Sequence, residues 1–281
     1  GEGLGIDELY ARTKLAESTL REGTPRYTRV AVPKRRGGHR TLLVPDDETK
    51  AIQQRLLRRL LGRLRAHAAA TGFEPGRSIV DHARPHVGTS VVVTMDIKEF
   101  FGSTTSERVD AYFRRIGWDA DVAALLTRWT TIDGGLPQGA PTSPRLSNLV
   151  NVYLDVQLQT VANRRGAAYT RYADDIAFSF QGGSPRHVRG TMQRIRRVLK
   201  AHGYEAHGKK KTRIQPATRR QVVTGLVVND KVNLPRRTRR WLRAVRHRHE
   251  TGREMTITPQ QLAGWNALAD MVDRQRWTRR G

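Results

Sequence analysis

The sequence contains no cysteine, which excludes disulfides, cysteine-ligated zinc and thiol catalysis together. It has no run of about 18 uncharged apolar residues, so no segment is expected to cross a membrane as a helix. Aromatic residues make up only 6% and hydrophobic residues 37%. That is below the usual globular share, but the apolar positions recur periodically and so describe a folded chain. The opening stretch GEGLGIDELYARTK has neither an initiating Met nor an apolar signal core, and reads as a trimmed or processed end. Acidic residues are the largest shortage: 26 Asp and Glu face 51 Lys and Arg, a formal charge of +25. A surface that repels itself this strongly is costly unless a polyanion neutralises it, and a phosphate backbone is the usual polyanion. Charge alone does not separate a polymerase from a packaging protein. An anionic membrane would attract the same charge, but no basic helix carries the unshared apolar face needed to lie in an interface.

A chain of 281 residues is long enough for two or three lobes around a buried core and too short for several independent domains. Leu4, Leu9, Tyr10, Leu15 and Leu20 predict one short helix within residues 1–25. Tyr27 to Val44 reads as a hairpin: YTRVAVP alternates toward Pro33, Gly37 and Gly38 supply the turn, and RTLLVP returns. Asp46 and Asp47 then cap a helix to about Ala68, with Ile52, Leu56, Leu57, Leu60, Leu61 and Leu64 on one face. VVVTMDI (91–97) is a buried-strand run that ends in a carboxylate. Thr104 and Glu107 have capping-box spacing for a helix through Ile116. LPQGAPTSP (136–144) is a loop before one long helix, AAYTRYADDIAFSF (167–180) is two strands about a tight turn, and GGSP introduces a helix to about His202. VVTGLVVN (222–229) reads as one more strand. From residue 233 the chain is helical and basic, with 12 Arg against 4 Asp and Glu and with Trp241, Trp265 and Trp277 interleaved as packing anchors.

Three carboxylates carry the chemistry. Asp174 and Asp175 lie at the turn of an apolar hairpin, and Asp96 ends an apolar strand. Adjacent side chains on a regular strand point to opposite faces, so only a turn lets two neighbouring Asp approach one site. Asp is common in turns, and a bare Asp pair would mean little. Here the flanks are apolar, a strand-ending Asp lies upstream, and a Gly-Pro loop falls between them. Gathering carboxylates without counter-charge is expensive, and divalent cations remove that cost. Oxygen-only ligation by few residues suits Mg²⁺, with phosphates and water completing its shell. Two such ions activate an attacking hydroxyl and stabilise a leaving pyrophosphate.

Tyr172-Ala173-Asp174-Asp175 resembles the YxDD box of reverse transcriptases, TMDIKEFF their first carboxylate motif, and LPQGAPTSP their nucleotide-binding loop. KRRGGHR with the following helix, GFEPGRSI and GKKKTR resemble further segments of the family, so the match extends over most of the chain. The resemblance implies an α+β right-hand polymerase: fingers with an N-terminal helix over 1–90, a palm with an antiparallel sheet over 91–232, and a small basic helical thumb over 233–281. It implies two Mg²⁺ ions, with Mn²⁺ as a substitute, on Asp96, Asp174, Asp175 and the Ile97 carbonyl. Lys34 and Arg40 would clamp the triphosphate, Gln138 and Gly139 would lie against the nucleotide, and one of Lys209, Lys210 and Lys211, with Lys211 the best match, would donate the proton to pyrophosphate. Phe100 matches the residue under the sugar that excludes a 2′-hydroxyl, and Phe101 is assigned to the core.

Val223-Thr224-Gly225 matches a signature of the retron branch, and His82 to His86 resembles that branch's N-A-x-x-H segment, with His82 where Asn is usual. These residues, with Arg236, Arg237, Arg240 and Arg243 of the basic tail, are the expected RNA contacts. Resemblance to retron enzymes implies a cognate structured noncoding RNA (msr-msd type), branched DNA made from it and from deoxynucleotides, a bacterial cytoplasmic setting and a role in phage defence with a separate effector. A group II intron-like or abortive-infection reverse transcriptase, or a non-catalytic binder of structured RNA, are the alternatives. Loss of a metal carboxylate would signal the last, and all three are present.

Overall fold

The computed structural model describes residues 3–33, 37–208 and 212–275. The N-terminal segment forms two helices, α1 (Ile6–Thr13) and α2 (Glu17–Glu22), where one was expected. Lys14 takes a left-handed conformation, φ 57°, that ends α1. The hairpin follows as expected: β1 (Tyr27–Pro33) pairs antiparallel with β2 (His39–Pro45). Asp46 caps α3 (Asp47–Arg59) by accepting from the Thr49 amide, but α3 stops well short of Ala68. The buried Arg145 guanidinium donates to the carbonyls of Leu61 and Leu64. These acceptors would otherwise serve further helical turns.

After α4 (Ile79–Ala83), β3 (Val91–Asp96), α5 (Ser106–Arg115) and α6 (Ala120–Thr130), the helix expected beyond residue 144 divides into α7 (Ser143–Val150) and α8 (Val152–Arg164). Asn151 makes the break. It is buried, accepts from Arg108 and donates to Ser147 and to the Tyr204 hydroxyl, so its side chain competes with the backbone ladder. Then come β4 (Ala167–Tyr172), β5 (Asp175–Phe180), α9 (Pro185–Ala201), β6 (Arg213–Pro216), β7 (Val222–Val223), β8 (Leu226–Val227), α10 (Arg236–Glu250) and α11 (Pro259–Gln275). Residues 222–229 are thus a small hairpin rather than one strand. Thr224 and Gly225 have φ 45° and 82°, and two consecutive positive φ values reverse the chain.

The central sheet runs β4-β5-β3-β6, antiparallel throughout. Its pleat decides what meets what. Val93 and Met95 of β3, with Ile176, Phe178 and Phe180 of β5, pack against α8 and α9. The alternate residues Val92 and Ala177 face a second core with α4, the β7–β8 hairpin, α10 and α11. A third core joins α1, α3, α5, α6 and α7, with Trp129 and Phe113 at its centre.

Candidate active site

The register that builds the two cores also builds the site. Asp96 stands directly opposite Asp175 across the β3–β5 pair. Both fall in phase with Val92 and Ala177, so they emerge on the sheet face away from α8 and α9. Side chains directly opposite are close neighbours, and like charges there are unfavourable without a counter-charge. Asp174 occupies the two-residue turn that joins β4 to β5, beside Ala173. Asp96 and Asp175 line one recess with His82, Thr94, Arg213, Thr224 and Gly225.

The turn is held from several sides. Ala173 has a left-handed φ of 55°, a strained state for a residue with a Cβ. The Asp174 carbonyl accepts from the Ile97 amide at 2.9 Å, which ties the turn to the end of β3. Arg171, fully buried, donates to the Ala173 carbonyl at 3.2 Å. Its guanidinium grips both carboxylate oxygens of the equally buried Asp155 on α8, at 2.8 and 2.6 Å, and reaches Asn148 of α7. Burial opposes the Arg171 charge, but Asp155 outweighs it and holds the guanidinium above its ordinary pKa. Burial first, and then Asp155, push the Tyr169 hydroxyl well above its ordinary value, and that hydroxyl donates to Asp155. Gly72 packs against the turn, where an added Cβ would lie 2.9 Å from the Ala173 nitrogen. Sequence reasoning missed this support. A signal for it was there: an Arg in an apolar strand and an Asp beside Leu154 on an apolar helix face are complementary misfits.

Among the described residues, no set of three His, Asp or Glu side chains closes into a metal-ligating cluster. The donor set nevertheless fits Mg²⁺. That ion is typically held through one or two carboxylates, with substrate phosphates and water supplying the rest, rather than by an all-protein cage. No hydrogen bond to the Ile97 carbonyl is made among the described residues.

The loop 136–144 docks on the first hairpin. The Leu43 amide donates to the Gln138 carbonyl at 2.8 Å, and Gly139, with φ 133°, sits where a Cβ would come within 2.8 Å of the Leu43 carbonyl. Gln138, Gly139 and Arg40 are exposed. Lys34, Lys209, Lys210 and Lys211 lie outside the described residues, as does Trp277.

Four expectations change. Phe100 is 3% exposed and stacks on Tyr204 at 5.6 Å inside the sheet core, with Arg171 over its ring, so no sugar can rest on it. Phe101 is the half-buried one of the pair and faces Phe73. His82 and His86 are buried and cannot contact RNA. His86 bridges the hydroxyls of Ser179 and Thr170 at 2.7 Å each, and His82 packs under Tyr172. Burial lowers the His86 pKa to about 4; burial, aided by His86 and Arg171, lowers that of His82 to about 3. Val223 is fully buried in the core of the hairpin, which leaves Thr224 half-buried and Gly225 exposed at the tip. Arg236, Arg237, Arg240 and Arg243 are exposed on α10, and Trp241 packs edge-on against Trp265 at 5.2 Å.

Residues 32–235 match the family described as reverse transcriptase (RNA-dependent DNA polymerase). Retron Mx65 reverse transcriptase of Myxococcus xanthus is 36% identical, over 91% of this chain and 64% of its own length. Retron Mx162 reverse transcriptase of the same organism is 36% identical over 88% of this chain and 58% of its own. Retron Ec86 reverse transcriptase of Escherichia coli is 34% identical over 83% and 72%. The chain thus spans about three fifths of the length of the Myxococcus relatives. A telomerase structure from Candida albicans superposes with a TM-score of 0.54 over 79% of this chain and 47% of that one, at 11% identity, a likeness of fold.

Proposed function

The chain belongs to the reverse transcriptase (RNA-dependent DNA polymerase) family, in its retron branch, and from that premise we propose that it extends a primer with deoxynucleotides copied from RNA. One observation carries the reading: Asp96 and Asp175 are cross-strand neighbours on one sheet face, with Asp174 in the adjoining turn. Divalent ions bound there, Mg²⁺ with Mn²⁺ as a substitute, supply charge neutralisation at the triphosphate and acidify the attacking hydroxyl. Asp96, Asp174 and Asp175 hold them, together with the Ile97 carbonyl.

The remaining roles follow from the family resemblance, with placement in support where the residues are described. Arg40 on the exposed hairpin, with Lys34 nearby in sequence, binds the triphosphate, and a cationic clamp suits a reaction whose charge sits on non-bridging oxygens. Gln138 and Gly139 position the nucleotide from the loop that β2 anchors. Phe101, rather than the buried Phe100, limits the space at the sugar 2′ position. Lys211 protonates the leaving pyrophosphate. Residues 1–90 act as fingers, 91–232 as palm and 233–281 as thumb, whose exposed arginines follow the backbone of an A-form-like duplex by shape. On the retron reading, the template is a cognate structured RNA (msr-msd type), the product is a branched DNA, and a separate effector completes a phage-defence system.

Primer extension on an RNA template tests this. Wild type is expected to incorporate deoxynucleotides and reject ribonucleotides. Phe101→Ala is expected to relax the sugar discrimination, whereas Phe100→Ala lowers stability by about 3–5 kcal/mol and leaves discrimination unchanged. Ribonucleotide acceptance by Phe100→Ala alone would return the gate to that residue, and no extension by wild type would leave only an RNA-binding protein.

A further inference from the structure

The outer face of α9 carries charge of one sign. From Ile176 to Tyr204 the chain has no Asp or Glu, but α9 alone carries Arg186, Arg189, Arg194, Arg196, Arg197 and Lys200. All six are exposed, and at about 100° per residue they occupy the arc opposite Val188, Met192, Ile195 and Leu199, which are buried against the sheet. The helices α1, α2 and α5 balance such residues within one turn: Arg12 with Glu8, Arg21 with Glu17, Arg114 with Asp110. On α9 no carboxylate is available for this, and none of the six forms an ion pair among the described residues. Like charges three and four residues apart destabilise a helix, so this face gains from a bound polyanion.

Position separates this surface from the polymerase cleft. α9 covers one face of the central sheet, and Asp96, Asp175 and the β7–β8 hairpin lie on the other. The N-terminal arginines Arg186 and Arg189 line a separate recess, whereas Arg196 and Lys200, at the other end of α9, share one with Lys98 and Glu99 just after Asp96. At the N-terminal end of the helix, Arg165, Ser184, Arg186, His187, Arg189 and Gln193 line a recess of about 750 Å³. Five of the six basic residues on α9 are Arg, the side chain whose planar fork matches phosphate oxygens in pairs. A membrane surface fits poorly, because the apolar residues of α9 are already spent on the core. The helix, 17 residues long, spans about 25 Å, enough to follow the backbone of an RNA helix along one side of a groove.

We propose that the outer face of α9, with Arg165, is a second nucleic-acid surface that holds the phosphate backbone of an RNA helix outside the polymerase cleft. The identity of the polyanion as RNA rests on the RNA-copying reading above; the charge and placement do not. The occupant is a helical segment of bound RNA other than the one being copied, which the protein grips from behind while the template threads the front.

The test uses the full chain and a fluorescent hairpin RNA of about two helical turns, titrated between about 50 and 200 mM salt. Arg186→Gln/Arg189→Gln/Arg197→Gln is compared with Arg12→Gln/Arg21→Gln/Arg114→Gln, which removes the same charge from paired sites. The α9 variant is expected to bind about tenfold more weakly at the upper salt, with a log–log salt slope shallower by about 3, one per phosphate contact. The control is expected to stay within about twofold of wild type. Both variants are expected to extend a short primer–template that fills only the cleft as wild type does, which also shows that they fold. Equal weakening in both variants, or none in the α9 variant, would overturn the proposal. So would displacement of the hairpin by poly-glutamate or anionic vesicles as effectively as by unlabelled hairpin. A wild type that grips the hairpin through α9 but extends no primer would keep this surface and remove the polymerase reading.

Discussion

At the scale of single residues, buried groups behind the carboxylates hold the turn and govern stability. Arg171 and Asp155 form an ion pair at 0% exposure on both sides, and Arg171 also holds the Ala173 carbonyl in the turn that carries Asp174. Removing one partner leaves a buried charge unanswered, at a cost of about 3–5 kcal/mol, whereas replacing both with apolar residues is often close to neutral. Asp155→Leu is therefore expected to lower the urea midpoint sharply, and Asp155→Leu/Arg171→Met to recover much of it without recovering polymerase activity. Full recovery of activity in the double variant would show that the contact to Ala173 is dispensable. The buried histidines set acid sensitivity. His82 and His86 have folded pKa values of about 3 and 4 against 6.5 when unfolded. Above pH 6.5 both states are neutral and nothing is lost. As the pH falls below that value the unfolded chain takes up protons that the folded chain refuses, so stability drops by up to about 1.4 kcal/mol per pH unit for each ring. Equilibrium unfolding between pH 7 and 5 is expected to show this loss, and His86→Gln to reduce its slope by about half, the His82 share remaining. An unchanged slope in that variant would mean that His86 is protonated in the folded state.

At the scale of elements, strands and single-helix segments were legible where a local pattern decides the outcome. The hairpin 27–45, the strand ending at Asp96 and the strand–turn–strand around Asp174 all follow from alternation and turn chemistry. The breaks were not legible because distant groups make them. Just past the end of α3, Arg145, some eighty positions on, takes the Leu61 and Leu64 carbonyls that a longer helix would need, and α7 ends where Asn151 meets Arg108 and Tyr204. The choice between Phe100 and Phe101 failed for a related reason: adjacent aromatics differ only in the partners that tertiary packing brings, here Tyr204 and Phe73. The loop 136–144 gives an element-scale test. At Gly139, φ 133° and the nearby Leu43 carbonyl leave no room for a methyl group, and strain of this kind costs about 1–3 kcal/mol. Gly139→Ala is expected to raise the KM for deoxynucleotide several-fold while the thermal midpoint shifts by only a few degrees. A variant with unchanged KM would detach this loop from nucleotide binding.

At the scale of the whole molecule, the three carboxylates that the sequence singles out come together, Asp96 opposite Asp175 with Asp174 in the adjoining turn, and the excess of 51 basic over 26 acidic residues pointed to a polyanion. Charge counting did not say where that polyanion lies. The sheet adds placement, because its two faces separate the basic helix α10, on the side of Asp96 and Asp175, from the basic helix α9 on the other. The most direct test of the central claim is to express the chain with its native flanking locus and sequence the nucleic acid that copurifies, in wild type and in Asp174→Ala/Asp175→Ala. The retron reading predicts a short DNA joined to a structured RNA in the wild type, and RNA alone in the variant. DNA present in both, or absent from both while RNA copurifies, would contradict it.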